Sequence, residues 1–197
     1  DIDPRTIGFL GLGTESSTDN SAGAVIVRGM LDRALDQMGL SRITRHCEVP
    51  EFKHACLGGI YALKSACRYV DTDANGKVAI VIASDIAEYA RGSTGEQTQG
   101  AGATAMLVEH NARMFSVDLK HTGNGSAYRG PDFRKPVKRH FMESYGSKAT
   151  EEKIPDFPVF SGPYSTMAYL EEVTVAVEEM LEKLGRRPSD FYNSVDA

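Results

Sequence analysis

An α/β layered fold with a largely parallel central sheet is what this sequence predicts. Three observations carry that expectation. Short apolar runs alternate with longer segments at helical spacing, the order of a strand–helix–strand fold. Lys77 to Ser84 (KVAIVIAS) is a continuous Val/Ile-rich run of strand length, as a fully buried strand requires. Thr166 to Leu184 shows amphipathic periodicity and ends at Gly185, a helix stop.

The elements follow in order. Thr6 to Leu12 (TIGFLGL), before Gly13, reads as a buried strand. Ser21 to Gln37 places Ala24, Val25, Val27, Met30, Leu31 and Leu35 at helical spacing, with Gly39 as its stop. Arg45 to Val49 reads as a second strand. Ala55 to Val70 starts Gly- and Ala-rich and continues as a helix, with Ala62, Leu63, Ala66 and Val70 recurring. After the Lys77 to Ser84 strand, Ala103 to Val108 and Met114 to Leu119 are further strand candidates. Residues 123–164 are polar and punctuated by Gly and Pro, with no sustained period, and read as an irregular insertion in a single unit spanning 1–197.

Composition narrows the function classes. The chain has 197 residues, a net charge of -5, 41% hydrophobic residues and 19 glycines, which suits a mixed globule. Mild acidity argues against nucleic acid as a partner. No apolar run reaches membrane-spanning length, so no membrane role is expected, and Asp1 to Arg5 are polar, without the character of a signal peptide. Three cysteines (Cys47, Cys56, Cys67) and no export signal predict a reduced, cytoplasmic protein. There is no Cys-x-x-Cys pair, and His46, His54, His110, His121 and His140 show no metal-ligand spacing, so no metal is expected.

Four segments carry residues that could do chemistry. Cys56 stands in Lys53 to Gly59 (KHACLGG), where an extended segment meets a helix. A thiol there feels the positive end of the helix dipole, which favours the thiolate. Gly58 and Gly59 leave space beside the sulfur for an acyl group. The same residue also fits the commoner description of a free cysteine as a small buried hydrophobe. Cys47 and Cys67 lack this setting and read as core. Glu15, in Gly11 to Ser17 (GLGTESS), follows a buried strand at the edge where open α/β sheets bind ligands. Partial burial there would raise its pKa toward acid/base use, while the local sequence alone favours a solvated loop residue. Asp85 also follows a strand and suits either a loop-capping or a catalytic role. The glycine-rich stretch Thr94 to Thr104 allows close backbone approach, but it lacks the Gly-Lys-Ser/Thr ending of a phosphate loop.

Read together, these segments resemble one family. Gly13 to Ser16 (GTES), His54 to Gly59 (HACLGG), Ser84 to Tyr89 (SDIAEY), Gly95 to Ala103 (GEQTQGAGA), Asp132 to Pro136 (DFRKP) and Phe157 to Ser165 (FPVFSGPYS) occur in the order seen in hydroxymethylglutaryl-CoA synthases. The glutamate of Gly-Thr-Glu-Ser separates that family from ketoacyl synthases, which share an Ala-Cys-x-Gly nucleophile. The resemblance implies a thiolase-like layered fold, of which this chain is about one half of the duplicated whole. It implies an acyltransferase that joins acetyl-CoA, held as a cysteine thioester, to acetoacetyl-CoA, with no cofactor beyond the coenzyme A thioesters themselves. It also implies a place in the mevalonate route to isoprenoids.

Carried over residue by residue, Cys56 is the nucleophile and Glu15 the acid/base. Asp85 and Asp132 support the site, and Thr98 and Ser165 contact substrate. The basic cluster Arg129, Arg134, Lys135, Lys138 and Arg139 could meet the phosphates of coenzyme A or of a carrier-protein arm, or form a solvated face. There are two departures. Leu57 follows the nucleophile where the family often has tyrosine, which bears on acyl preference. The family's catalytic histidine lies beyond the segment matching Asp190 to Ala197, and the family's opening strand and helix precede the match to Asp1. The resemblance therefore implies a fragment or one subunit of a split enzyme, incomplete alone, acting as a homodimer or with a partner carrying the C-terminal half. Two other readings stand beside it: a β-branching synthase of polyketide assembly acting on acyl-carrier-protein substrates, and a non-catalytic scaffold subunit of thiolase fold.

Overall fold

A computed structural model describes residues 2–17, 20, 22–87, 91–92, 96–128 and 162–195. The chain divides into two compact units, one of residues 1–87 and 100–119, the other of residues 88–99 and 120–197.

The first unit is built on a four-stranded sheet in the order β2-β1-β3-β4. Its strands are β1 (Ile7–Gly13), β2 (Glu51–Phe52), β3 (Val78–Ile86) and β4 (Ala101–Val108). Two helices accompany them, α1 (Gly23–Gln37) and α2 (Gly58–Thr72). β1 runs parallel to β2 and to β3, whereas β4 returns antiparallel to β3. The sheet is therefore mixed, with the expected parallel character at its centre.

Every residue of β1 is buried. The pleat sends its side chains to two cores. On one face Phe9 joins Ala79 and Val81 of β3 against Ala62, Ala66 and Tyr69 of α2. On the other, Ile7 and Leu10 pack with Ile43, Leu31 and Leu35. A strand covered on both sides must be apolar at successive positions, which explains its unbroken run in the sequence. α1 ends where expected: Gly39 takes φ +68°, a left-handed stop.

Two expectations are corrected. The second strand lies at Glu51–Phe52 rather than Arg45 to Val49. Residues 48–52 do run beside β1: Leu10 and Leu12 donate to the carbonyls of Glu48 and Pro50. Pro50 has no N–H to return, so the ladder is interrupted there and resumes one residue later. Met114 to Leu119 forms no strand; a 3₁₀ turn occupies Leu119–His121. Met114 and Phe115 are exposed and find no partner strand among the described residues.

The second unit carries α3 (Gly162–Leu184) and a short α4 (Pro188–Tyr192). Within it, residues 122–125 lie along α3. Lys183 donates to the Thr122 carbonyl, and the Asn124 N–H donates to Glu179. Gly123 and Gly125 approach the α3 backbone so closely that a Cβ on either would collide with the carbonyl of Ala176 or Glu172. The Lys183 ammonium and the Asn124 N–H hold the Glu179 carboxyl down at about 2. The expected insertion falls largely on residues 129–161, outside the described residues.

Candidate functional site

Two limbs of chain leave the same step of the sheet. Leu12 and Gly13 of β1 pair with Glu51 and Phe52 of β2. Beyond that step one limb carries Glu15 and the other carries Cys56. The Thr14 N–H donates to the Phe52 carbonyl, extending the pairing one residue past the strands.

The Cys56 limb is shaped by backbone. Leu57 N–H donates to the His54 carbonyl and Gly58 N–H to that of Ala55, a tight turn that feeds directly into α2. Ala55 takes φ +43°, a left-handed conformation costly for a residue with a side chain. Cys56 lies just ahead of the helix, as the sequence predicts, and is exposed, which removes the description of it as a small buried hydrophobe. The turn fits because three glycines remove side chains where limbs cross. A Cβ on Gly58 would sit 2.6 Å from the Phe52 carbonyl oxygen and 3.1 Å from the Thr14 nitrogen. A Cβ on Gly13 would strike the backbone of Gly58 and Gly59, and one on Gly59 would meet Ala83. Gly58 therefore serves the crossing of the two limbs, and Gly59 the close approach of α2 to β3 at Ala83.

The Glu15 limb is shaped by a side chain. Asp85, near the end of β3, accepts at Oδ1 from the N–H of Glu15 (2.7 Å), the N–H of Ser16 (3.0 Å), Ser16 Oγ (2.8 Å) and Thr14 Oγ1 (3.0 Å). Ser16 Oγ in turn accepts from the Ile86 N–H. Partial burial pushes the Asp85 carboxyl up, but the hydrogen bonds from Glu15, Ser16 and Thr14 outweigh it and hold the group below its ordinary value. Of the two roles open to Asp85 from sequence, the geometry is that of a loop clamp. The other thiols differ from Cys56 in setting: Cys47 and Cys67 are half-buried, and burial raises both.

Glu15, Cys56 and Asp85 thus belong to one end of one sheet. Thr98 lies in the 3₁₀ turn Glu96–Thr98 and Ser165 in the first turns of α3, both in the second unit. Asp132 and the basic residues Arg129, Arg134, Lys135, Lys138 and Arg139 lie outside the described residues. Among the described residues, no group of three His, Cys, Asp or Glu side chains could hold a metal ion. No described helix is long and apolar enough to cross a membrane.

Thr14, Ser16 and Glu51 were not singled out from sequence. Thr14 and Ser16 stood inside the Gly-Thr-Glu-Ser motif, and their hydroxyls were a usable signal. Glu51 gave one too: an acidic residue in an extended segment leading into Cys56.

Comparison with known proteins fits this geometry. Residues 1–113 match the family model described as hydroxymethylglutaryl-coenzyme A synthase, N terminal. The chain is similar to a hydroxymethylglutaryl-CoA synthase of Haloferax volcanii, 31% identical over 98% of this chain and 39% of that protein. In three dimensions it resembles MvaS in complex with 3-hydroxy-3-methylglutaryl coenzyme A, with a TM-score of 0.73 and 32% identity over 92% of this chain and 38% of that one. It also resembles PksG, an HMG-CoA synthase from Bacillus subtilis, with a TM-score of 0.67 and 26% identity over 92% of this chain and 38% of that one. The chain therefore spans about two fifths of the length of these relatives.

Proposed function

The chain belongs to the hydroxymethylglutaryl-CoA synthase family, and from that premise we propose that it supplies the nucleophile and the acid/base of an acyl-CoA condensing enzyme. Cys56 attacks the thioester carbon of acetyl-CoA, forming acetyl-S-Cys56 and releasing coenzyme A. The Glu15 carboxylate removes a proton from the acetyl methyl group. The resulting carbanion forms a carbon–carbon bond to the ketone carbon of acetoacetyl-CoA, and the ketone oxygen takes up a proton. Water then cleaves the Cys56 thioester, freeing the thiol and 3-hydroxy-3-methylglutaryl-CoA. This is covalent catalysis joined to positioned proton transfer.

The observation that carries the reading is the shared ladder step. Leu12–Glu51 and Gly13–Phe52 launch the two limbs side by side, so one end of the sheet presents an exposed thiol and a carboxylate together. Asp85 serves this reaction as the clamp of the Glu15 loop. Asp132 is assigned a supporting role, and Thr98 and Ser165 substrate contacts, on resemblance. We place the protein in the cytoplasm, where its thiols stay reduced. A homodimer or a partner bearing the remaining half completes the site.

Intact mass spectrometry of the full-length protein after incubation with acetyl-CoA tests the reading. One acetyl group on Cys56 is expected, absent in Cys56→Ala. Glu15→Gln should keep the adduct yet lose condensation by about 10²–10⁴-fold, the scale of a lost acid/base. Acetylation only from an acetylated carrier protein would favour the β-branching synthase. No acetylation from either donor would leave the scaffold reading.

A further inference from the structure

The carboxylate of Glu51 takes no part in the chemistry above, yet its side chain is fully buried at the base of the site. It sits in β2 opposite Leu12, five residues ahead of Cys56. Its Oε2 accepts from the Ala24 N–H at 2.9 Å, in the first turn of α1. The N-cap of α1 is Ala22, which has no side-chain acceptor to offer the helix. A carboxylate at a helix N-terminus satisfies an orphan donor and meets the positive end of the dipole. Gly23 makes this approach possible, since a Cβ there would come within 3.1 Å of Oε2 and 3.0 Å of Leu12.

The other oxygen, Oε1, is buried and makes no hydrogen bond among the described residues. Its neighbour is the Lys53 ammonium at 3.7 Å. Lys53 reaches in turn to the Ser17 carbonyl at 3.5 Å. Burying a carboxylate with half its acceptor capacity unused is expensive. An alternative acceptor such as a serine or asparagine would cap α1 at lower cost, so capping alone does not account for a charge here.

The segment between β1 and α1 carries Glu15. Asp85 fixes it at residues 14–16, Lys53 contacts it at 17, and Glu51 fixes its far end at 24. We infer that Glu51 is a positioning residue for Glu15. Through Ala24 and Lys53 it ties the acid/base loop to β2, the strand that leads into Cys56, and so sets the register of carboxylate and thiol. The inference deepens the functional reading above and rests on it for its catalytic consequence.

Full-length Glu51→Ala and Glu51→Gln variants test it. Glu51→Gln keeps volume and an acceptor for Ala24 but removes the charge facing Lys53. The expected result is a split. Acetylation of Cys56 by acetyl-CoA changes less than about threefold, while condensation turnover falls by about tenfold or more in Glu51→Ala and by less in Glu51→Gln, since small misplacements of reacting groups are costly. Amide hydrogen exchange supplies a readout independent of turnover: residues 14–24 should exchange faster in Glu51→Ala, with α2 unchanged. Equal loss of acetylation and condensation, or unchanged exchange across 14–24, would overturn the proposal. Faster exchange in a protein whose wild type never acetylates would sink the functional reading and leave the tie standing.

Discussion

The two limbs of the site are held by opposite means. The Cys56 turn is fixed by main chain on main chain, through glycines at 13 and 58 and a left-handed Ala55. The Glu15 loop is fixed at residues 14–16 by one carboxylate that gathers four donors. The first kind of anchor is indifferent to charge and intolerant of volume; the second tolerates volume and depends on charge. A nucleophile needs a fixed position, and packing gives that. An acid/base group needs a fixed position in a controlled field, and a clamp of hydrogen bonds around an anion gives both.

Adding volume to the first limb should have the largest effect. Gly58→Ala places a methyl against the Phe52 carbonyl and the Thr14 nitrogen, neither of which can move without breaking the β1–β2 step. A loss of about 2–3 kcal/mol is expected in urea denaturation, with little dependence on pH. A loss that varied strongly with pH would show that the two anchors are not separable.

Removing charge from the second limb should cost less and should carry a pH signature. Asp85→Asn weakens charged hydrogen bonds to the Glu15 and Ser16 N–H groups, by about 1–3 kcal/mol in all. The Asp85 carboxyl lies below its ordinary value in the folded protein. Its stabilisation is therefore present above the unfolded pKa of about 3.9 and is lost as pH falls through the folded value. The wild type should lose stability more steeply than Asp85→Asn below about pH 4. Parallel curves would remove Asp85 as the electrostatic anchor.

The smallest effect has the opposite sign. Ala55→Gly relieves the left-handed strain at φ +43° and should change stability by no more than about 1 kcal/mol, upward if relief exceeds the added chain entropy. Its value is kinetic: a slower acetylation of Cys56 with unchanged stability would show that the strain aims the thiol.

Strand and helix identities were legible because burial on both faces of β1 leaves a continuous apolar run, and because α2 needs Ala62 and Ala66 one turn apart. β3, expected to be fully buried, buries only Ala79 and Val81 and leaves Val78 and Ile80 half-buried on its other face. The positions of Cys56, where an extended segment meets a helix, and of Glu15, just past a buried strand, were legible. Position alone could not reveal that Gly58 serves a backbone crossing, because the contact comes from Phe52 and Thr14 in other segments. Glu51 was hidden for the same reason: its partner Ala24 lies 27 residues away in sequence. Pro50 displaced β2 by a rule that was readable, whereas Met114 to Leu119 had strand-like composition and no neighbour to pair with among the described residues.

The reach of the Asp85 clamp has a consequence for how the molecule is made. Its hydrogen bonds to Thr14, Glu15 and Ser16 join residues 71, 70 and 69 positions apart. Synthesis runs from the N-terminus, so Glu15 and Cys56 are both polymerised before Asp85. Cys56 is therefore made before the carboxylate that fixes the Glu15 loop. Assembly of this end of the sheet waits for β3 to slot in beside β1, a long-range pairing that is intrinsically slow. Until that moment the Cys56 thiol has no fixed Glu15 loop beside it.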